Sequence, residues 1–186
     1  NGLGIVGRAV ASRAQLPVLS HILIEAKSDG LTLSATDLEI GIKVKVNAKV
    51  VEDGVVAVPA KMFMEFLGSL NPGKVEINLE KETLILIAPG YKGKFQTISA
   101  DEFPGIVGVD SKTEVCSIDP KELLTAVDRV AFASAKDTLR PVLTGVLWEF
   151  VGKKVRLVST DGIRLAGEDL ITETKSEQPN LLVPSR

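Results

Sequence analysis

Few side chains in this 186-residue chain could do acid–base, nucleophilic or metal chemistry, and their placement gives such chemistry little to build on. His21 is the only histidine, which excludes a metal centre with two or more histidine ligands. A Ser-His-Asp triad would have to use it, yet His21 sits within an alternating strand pattern that needs no catalytic explanation. The single cysteine, Cys116, cannot form an internal disulfide; it reads as a small strand residue and fits a reducing, cytoplasmic compartment. Thr36-Asp37 and Thr160-Asp161 could be offered as paired carboxylates for general acid–base work. Asp161-Gly162, however, is favoured turn chemistry, and an aspartate in a turn hydrogen-bonds its own backbone. Gly2-Leu-Gly4 lies in a helical pattern and follows no strand, so it is not a dinucleotide loop. Neither a catalytic residue, a metal site nor a cofactor is expected.

The cations are more suggestive. Arg8 and Arg13 cluster in or just after a first helical pattern, and Lys121 and Arg129 lie on a second. Lys136 and Arg140 follow just beyond it. Overall charge is nonetheless only −2, from 22 basic and 24 acidic residues, so any nucleic-acid role needs its positive charge gathered on one face. Apolar residues make up 45%, enough for substantial cores, and no apolar run approaches the roughly 18–20 residues that cross a bilayer.

The elements that must position these side chains are duplicated. Residues 17–37 align without a gap on residues 141–161, at a constant offset of 124, the distance from Asp37 to Asp161. Eight of these 21 pairs are identical: Pro17, Val18, Leu19, Leu23, Glu25, Leu33, Thr36 and Asp37 each meet their own kind. Val6 falls on Val130, Ala9 on Ala133, and Val58-Pro-Ala-Lys61 on Val183-Pro-Ser-Arg186 after a one-residue slip. A repeat this long is a whole domain rather than a solenoid unit. The second copy opens with a strand-like 114–118. A helix start follows, with Asp119 as N-cap, Pro120 at the first position and Glu122 placed to close a capping box. Shifted back by the offset, most of that opening precedes residue 1, and the second copy stops where the first continues. The chain is therefore expected to be clipped at both ends.

Periodicity predicts a helix through Leu3, Val6 and Val10, and strands over 18–26, 31–35, 40–46 and 55–58. A helix follows from Pro59, burying Met62, Phe63, Phe66, Leu67 and Leu70, and then strands over 75–79, 83–88 and 94–98. The second copy predicts a helix near 120–133 and strands over 142–150, 154–159 and 163–168. The fold class is α+β, each domain holding two helices on antiparallel sheets. Residues 103–111 read as the junction between a first domain over 1–108 and a second over 112–186.

Six ordered motifs carry a resemblance across essentially the whole chain. They are Arg13-Ala-Gln-Leu-Pro-Val-Leu-Ser-His-Ile-Leu, Leu31-Thr-Leu-Ser-Ala-Thr-Asp-Leu-Glu39, Val58-Pro-Ala-Lys61, Asp101-Glu-Phe-Pro104, Arg140-Pro-Val-Leu-Thr-Gly145 and Ser159-Thr-Asp-Gly-Ile-Arg-Leu-Ala166. Together they resemble the bacterial sliding clamps, the beta subunits of DNA polymerase III. The resemblance implies a DNA clamp fold of tandem duplicated domains, with a third domain absent from this chain. It also implies a homodimeric ring around double-stranded DNA and a non-catalytic role as processivity factor in DNA replication. The implied partners are the DNA polymerase catalytic subunit, the clamp loader and other proteins carrying clamp-binding peptides, with no membrane.

By the same resemblance Arg13 matches a DNA-contacting position, and Arg140, with Lys136 beside it, lies in the matching loop of the second domain. Arg8 and Arg129, on the two helical patterns, complete the expected DNA-facing set. Leu143, Thr160, Gly162, Ile163, Arg164 and Leu165 match half of a pocket for partner peptides. A protein-interaction module on the same fold, without a DNA role, is the alternative.

Overall fold

The computed structural model describes residues 2–11, 16–106, 108, 116–137, 139–172 and 179–185. It divides into two compact units, 1–108 and 109–186. In the first unit, helix α1 (Gly2–Val6) continues as a 3-10 turn, Gly7–Ala9. Four antiparallel strands follow: β1 (His21–Lys27), β2 (Gly30–Thr36), β3 (Gly41–Val46) and β4 (Gly54–Pro59), in the order β3-β2-β1-β4. Helix α2 (Ala60–Ser69) leads to a second sheet, β5-β6-β7, from Glu76–Glu80, Thr83–Ala88 and Tyr91–Gln96. The core lies between α1, α2 and the two sheets. Val6, Ile22, Leu33, Val58, Phe63, Leu86 and Phe95 meet there, and the Phe95 ring packs edge-on against both Phe63 and Phe66.

The second unit repeats the first part of that plan. Helix α3 (Pro120–Ala131) packs on a sheet of order β10-β9-β8-β11, from Leu165–Ile171, Lys154–Thr160, Gly145–Val151 and Leu181–Pro184. Asp119 caps α3 as expected, accepting the N–H groups of Lys121 and Glu122. Ala126 and Val130 of α3 bury against Val146, Val155, Leu157 and Leu170. The strand registers are those of the first unit moved by the repeat. Leu23 faces Ser34 and Leu147 faces Val158, while Thr36 faces Gly41 and Thr160 faces Leu165.

Several expected boundaries move, each for a local reason. Neither 18–26 nor 142–150 begins as a strand. Pro17–Ser20 and Pro141–Thr144 are 3-10 turns, because proline fixes φ and lacks the donor a ladder needs. The hydroxyls of Ser20 and Thr144 close those turns on the carbonyls of Pro17 and Pro141. Strand β10 starts at Leu165, not at 163, since Ile163 lies in the turn that Asp161 closes. Met62 is 55% exposed; the buried side of α2 is formed by Ala60 and Phe63, with Met64, Phe66 and Leu67 packed beside them, and the helix ends before Leu70. Val10 follows the 3-10 turn in extended conformation instead of continuing a helix. Strand β7 ends at Gln96, leaving Ile98 in a lone bridge with Ala57. The strand expected over 114–118 and the junction over 103–111 fall partly outside the described residues.

Candidate functional site

Two side chains build the turn between β9 and β10. Thr160 Oγ1 accepts the Gly162 N–H at 3.0 Å and donates to the Arg164 carbonyl at 2.6 Å. Asp161 Oδ1 accepts the N–H groups of Ile163 (3.0 Å) and Arg164 (2.9 Å), and its Oδ2 accepts Arg164 Nε at 3.0 Å. Gly162 takes a φ of 91°, a left-handed conformation that costs glycine nothing. The Arg164 N–H first, then that of Ile163, hold the Asp161 carboxyl below its ordinary 3.8, and the Arg164 guanidinium adds to the effect. The same guanidinium lies over the Phe132 ring, 5.6 Å from its centroid. At the apex, Ile163 is 97% exposed.

The facing wall comes from the loop after α3 and the 3-10 turn at Pro141–Thr144. Ala135 N–H donates to the Leu143 carbonyl at 2.9 Å, which ties loop to turn. Asp137 Oδ1 accepts the Leu139 N–H at 3.1 Å, and Leu143 N–H donates to the Arg140 carbonyl at 2.9 Å. These segments and the β9–β10 turn enclose a cavity of about 300 Å³, lined by Ala135, Asp137, Leu139, Arg140, Leu143, Asp161, Gly162 and Ile163. Leu139, Leu143 and Ile163 supply its apolar lining, and two carboxylates and a guanidinium supply a polar one of similar extent. Such a hollow suits the apolar side chain of a peptide whose backbone needs polar partners nearby.

Of the residues expected at a peptide pocket, Leu143, Gly162 and Ile163 line this cavity. Thr160 and Arg164 shape it from behind through the turn, and Leu165 begins β10 beside them. Arg140, expected at DNA, is placed in the cavity wall. Sequence reasoning missed Ala135, Asp137 and Leu139 because their loop carries no periodic signal. It read Asp161 as a turn residue only, and that residue both closes the turn and lines the hollow.

Arg8 is exposed on the 3-10 turn after α1, and Lys136 is exposed in the loop after α3. Arg129, on the solvent side of α3, pairs with Glu168 of β10 at 2.7 Å. Arg13 lies outside the described residues. On the opposite face of the second unit's sheet, Asp169 bonds Arg156 at 2.8 Å and Lys154 at 2.7 Å. Arg156 first, then Lys154, hold the Asp169 carboxyl far below the usual carboxylate range. Those two cations are thus already answered within their own sheet.

Among the described residues no group of His, Cys, Asp and Glu side chains is gathered for a metal ion, and no helix is long and apolar enough to cross a membrane.

A duplicated unit of helix on antiparallel sheet, with a peptide-sized hollow in its second copy, defines a clamp-like α+β protein. The family model of the DNA polymerase III beta subunit N-terminal domain matches residues 1–107, and that of the central domain matches 117–186. The chain belongs to the beta sliding clamp family. It is 34% identical over 167 residues to the beta sliding clamp of Pseudomonas putida, covering 88% of this chain and 45% of that protein. The DNA polymerase III beta subunit of Thermotoga maritima superposes with a TM-score of 0.87 at 31% identity, over 99% of this chain and 50% of that one. A sliding clamp of Pseudomonas aeruginosa bound to griselimycin gives 0.84 at 32% identity, over 99% and 50%. The chain thus spans about half the length of the relatives it matches.

Proposed function

We propose that this chain is part of a DNA sliding clamp, a non-catalytic processivity factor that holds duplex DNA by enclosing it and tethers polymerases to it. The observation that carries the reading is the order of two homologous units along the whole chain, each matching its own clamp domain. A ring that holds DNA by topology needs no tight phosphate grip, and a tight grip would oppose sliding. That logic agrees with a chain whose net charge is only −2. Arg8, Arg13, Arg129, Lys136 and Arg140 are the candidate guides for the duplex, making sequence-independent contacts. The ring itself would be a homodimer of longer subunits, put on DNA by a clamp loader.

The test uses the protein at the full length its gene encodes, with a clamp loader and ATP on nicked circular DNA. Retention on the circle, lost after the circle is linearised, is the expected result. Equal retention on both forms would mean ordinary affinity binding and would end the topological reading. Failure to load with a loader that is competent on another clamp would leave an interaction module without a DNA role.

The cavity between the loop after α3 and the β9–β10 turn is the proposed docking site for apolar anchors of partner peptides. Griselimycin is the probe, because a family member binds it. Amide resonances of Leu143, Gly162 and Ile163 should move on titration. Shifts confined to the first unit would refute this placement.

A further inference from the structure

Both walls of the cavity are met by one short segment, residues 132–135 just after α3. Ala135 fixes the wall that carries Leu143, through its bond to the Leu143 carbonyl. Phe132 meets the opposite wall, its ring lying under the Arg164 guanidinium at 5.6 Å. We propose that Phe132 is a positioning residue for partner binding: its ring face holds Arg164 so that the β9–β10 turn presents Gly162 and Ile163 to a peptide anchor. The inference rests on the peptide-docking reading of the cavity given above.

Three observations carry it. First, Arg164 is held on two sides, by Asp161 Oδ2 at 3.0 Å and by the Phe132 ring, and a guanidinium within about 6 Å of a ring centroid is attracted to the ring face. Second, Phe132 is 58% exposed, so core packing does not account for a large aromatic side chain here. Its backbone is nonetheless fixed, since its N–H bonds the carbonyl of fully buried Val130.

Third, the repeat shows that the turn closes without such a pair. At the 124-residue offset, Arg8 stands where Phe132 does and Ile40 where Arg164 does, and neither offers a ring. The first-unit turn still makes the same closure, with Thr36 Oγ1 accepting the Leu38 N–H at 3.0 Å and Asp37 Oδ1 accepting those of Glu39 and Ile40 at 3.0 and 2.8 Å. The Phe132–Arg164 pair is therefore surplus to folding the turn. It occurs in the copy whose turn borders the cavity.

The experiment compares wild type with Phe132→Leu, Phe132→Tyr, Arg164→Gln and the Phe132→Leu/Arg164→Gln double variant, by griselimycin titration followed by NMR. Phe132→Leu should weaken binding about 2- to 5-fold, the size of a partly exposed cation–π contact. It should also move the Arg164 Nε–H resonance out of the ring's shielding. Phe132→Tyr should retain both affinity and shift, and the double variant should bind no worse than Arg164→Gln alone. Unchanged affinity in Phe132→Leu, failure of tyrosine to substitute, or additive losses would each overturn the proposal. A wild type whose Gly162 and Ile163 amides ignore griselimycin overturns the cavity reading and this proposal with it. That result is distinct from failure of the clasp alone, in which wild type and Phe132→Leu bind equally.

Discussion

The turns that follow Thr36 and Thr160 share a backbone plan and differ in what they display. In both, a threonine hydroxyl accepts the N–H two residues on, and an aspartate oxygen accepts the next two. The left-handed position is Leu38 at φ 76° in the first and Gly162 at φ 91° in the second. The apex is Glu39 in one and Ile163 in the other, and the residue after it is Ile40 or Arg164. Closure chemistry is therefore a property of the fold, kept by both copies. Display is where the copies part, and the second copy's display borders the cavity. A similar divergence runs through the cores. The first unit packs two sheets and two helices around Phe63 and Phe95, while the second packs one helix on one sheet.

The strongest way to break this comparison is to attack one core and watch the other unit. Phe63 is 1% exposed and meets Phe95 edge-on at 5.6 Å. Phe63→Ala should cost the first unit about 3–5 kcal/mol, the usual range for emptying a buried aromatic site. Trp148 is the only tryptophan and packs against the second unit's core, so its fluorescence reports that unit. Urea unfolding followed by circular dichroism should show an early first-unit transition, while the Trp148 midpoint stays in place. A Trp148 midpoint that falls with it would mean the two cores unfold as one.

A smaller effect should come from exchanging the left-handed residues. Gly162→Leu forces a branched side chain to φ 91° and brings its Cβ near the Arg140 guanidinium, 3.7 Å away. Left-handed backbone costs a non-glycine residue roughly 1–2 kcal/mol, and the second unit should lose about that much. Leu38→Gly relieves the same strain but adds chain entropy to the unfolded state, so the first unit should change by less than about 1 kcal/mol. Equal and opposite shifts would show that the entropy gained by the unfolded chain does not offset the strain relieved at Leu38.

What the sequence made legible follows from the same distinction. Closure chemistry repeats at fixed spacing, so the offset of 124 revealed the paired turns, and the strand registers obey it. The cap at Asp119 was equally plain, because a short polar side chain before proline has few other uses. Pro17 and Pro141 misled because an apolar run after proline looks like the start of a strand, although the missing donor delays the ladder to His21 and Gly145. Met62 misled because a helical stripe does not say which of two adjacent apolar residues turns inward. The cavity was half visible: Leu143, Gly162 and Ile163 lie in recognisable motifs, but Asp137 and Leu139 enter it only through the path of their loop. The ring under Arg164 was not visible at all. Phe132 and Arg164 are far apart in sequence, and only the packing of α3 on β9 and β10 brings them together.

The smallest predicted effect concerns the charge that holds the second turn. Asp161 is favoured as a carboxylate in the folded chain by the N–H groups of Arg164 and Ile163 and by the Arg164 guanidinium, so its folded pKa lies below 3.8. The unfolded chain therefore takes up the proton first as pH falls. This contribution to stability is complete well above pH 3.8 and is lost as pH drops through the lower folded value. Asp161→Asn keeps the shape without the charge. Many other carboxylates titrate in the same range, so the useful quantity is the difference between wild type and variant in the Trp148-detected midpoint. That gap should be constant from about pH 7 to 5 and should narrow as pH falls below 3.8. A gap that does not narrow at all on acidification below 3.8 would mean that the turn is held by hydrogen-bond geometry alone. In that case the Asp161–Arg164 ion pair would add nothing to the rim that Phe132 is proposed to steady.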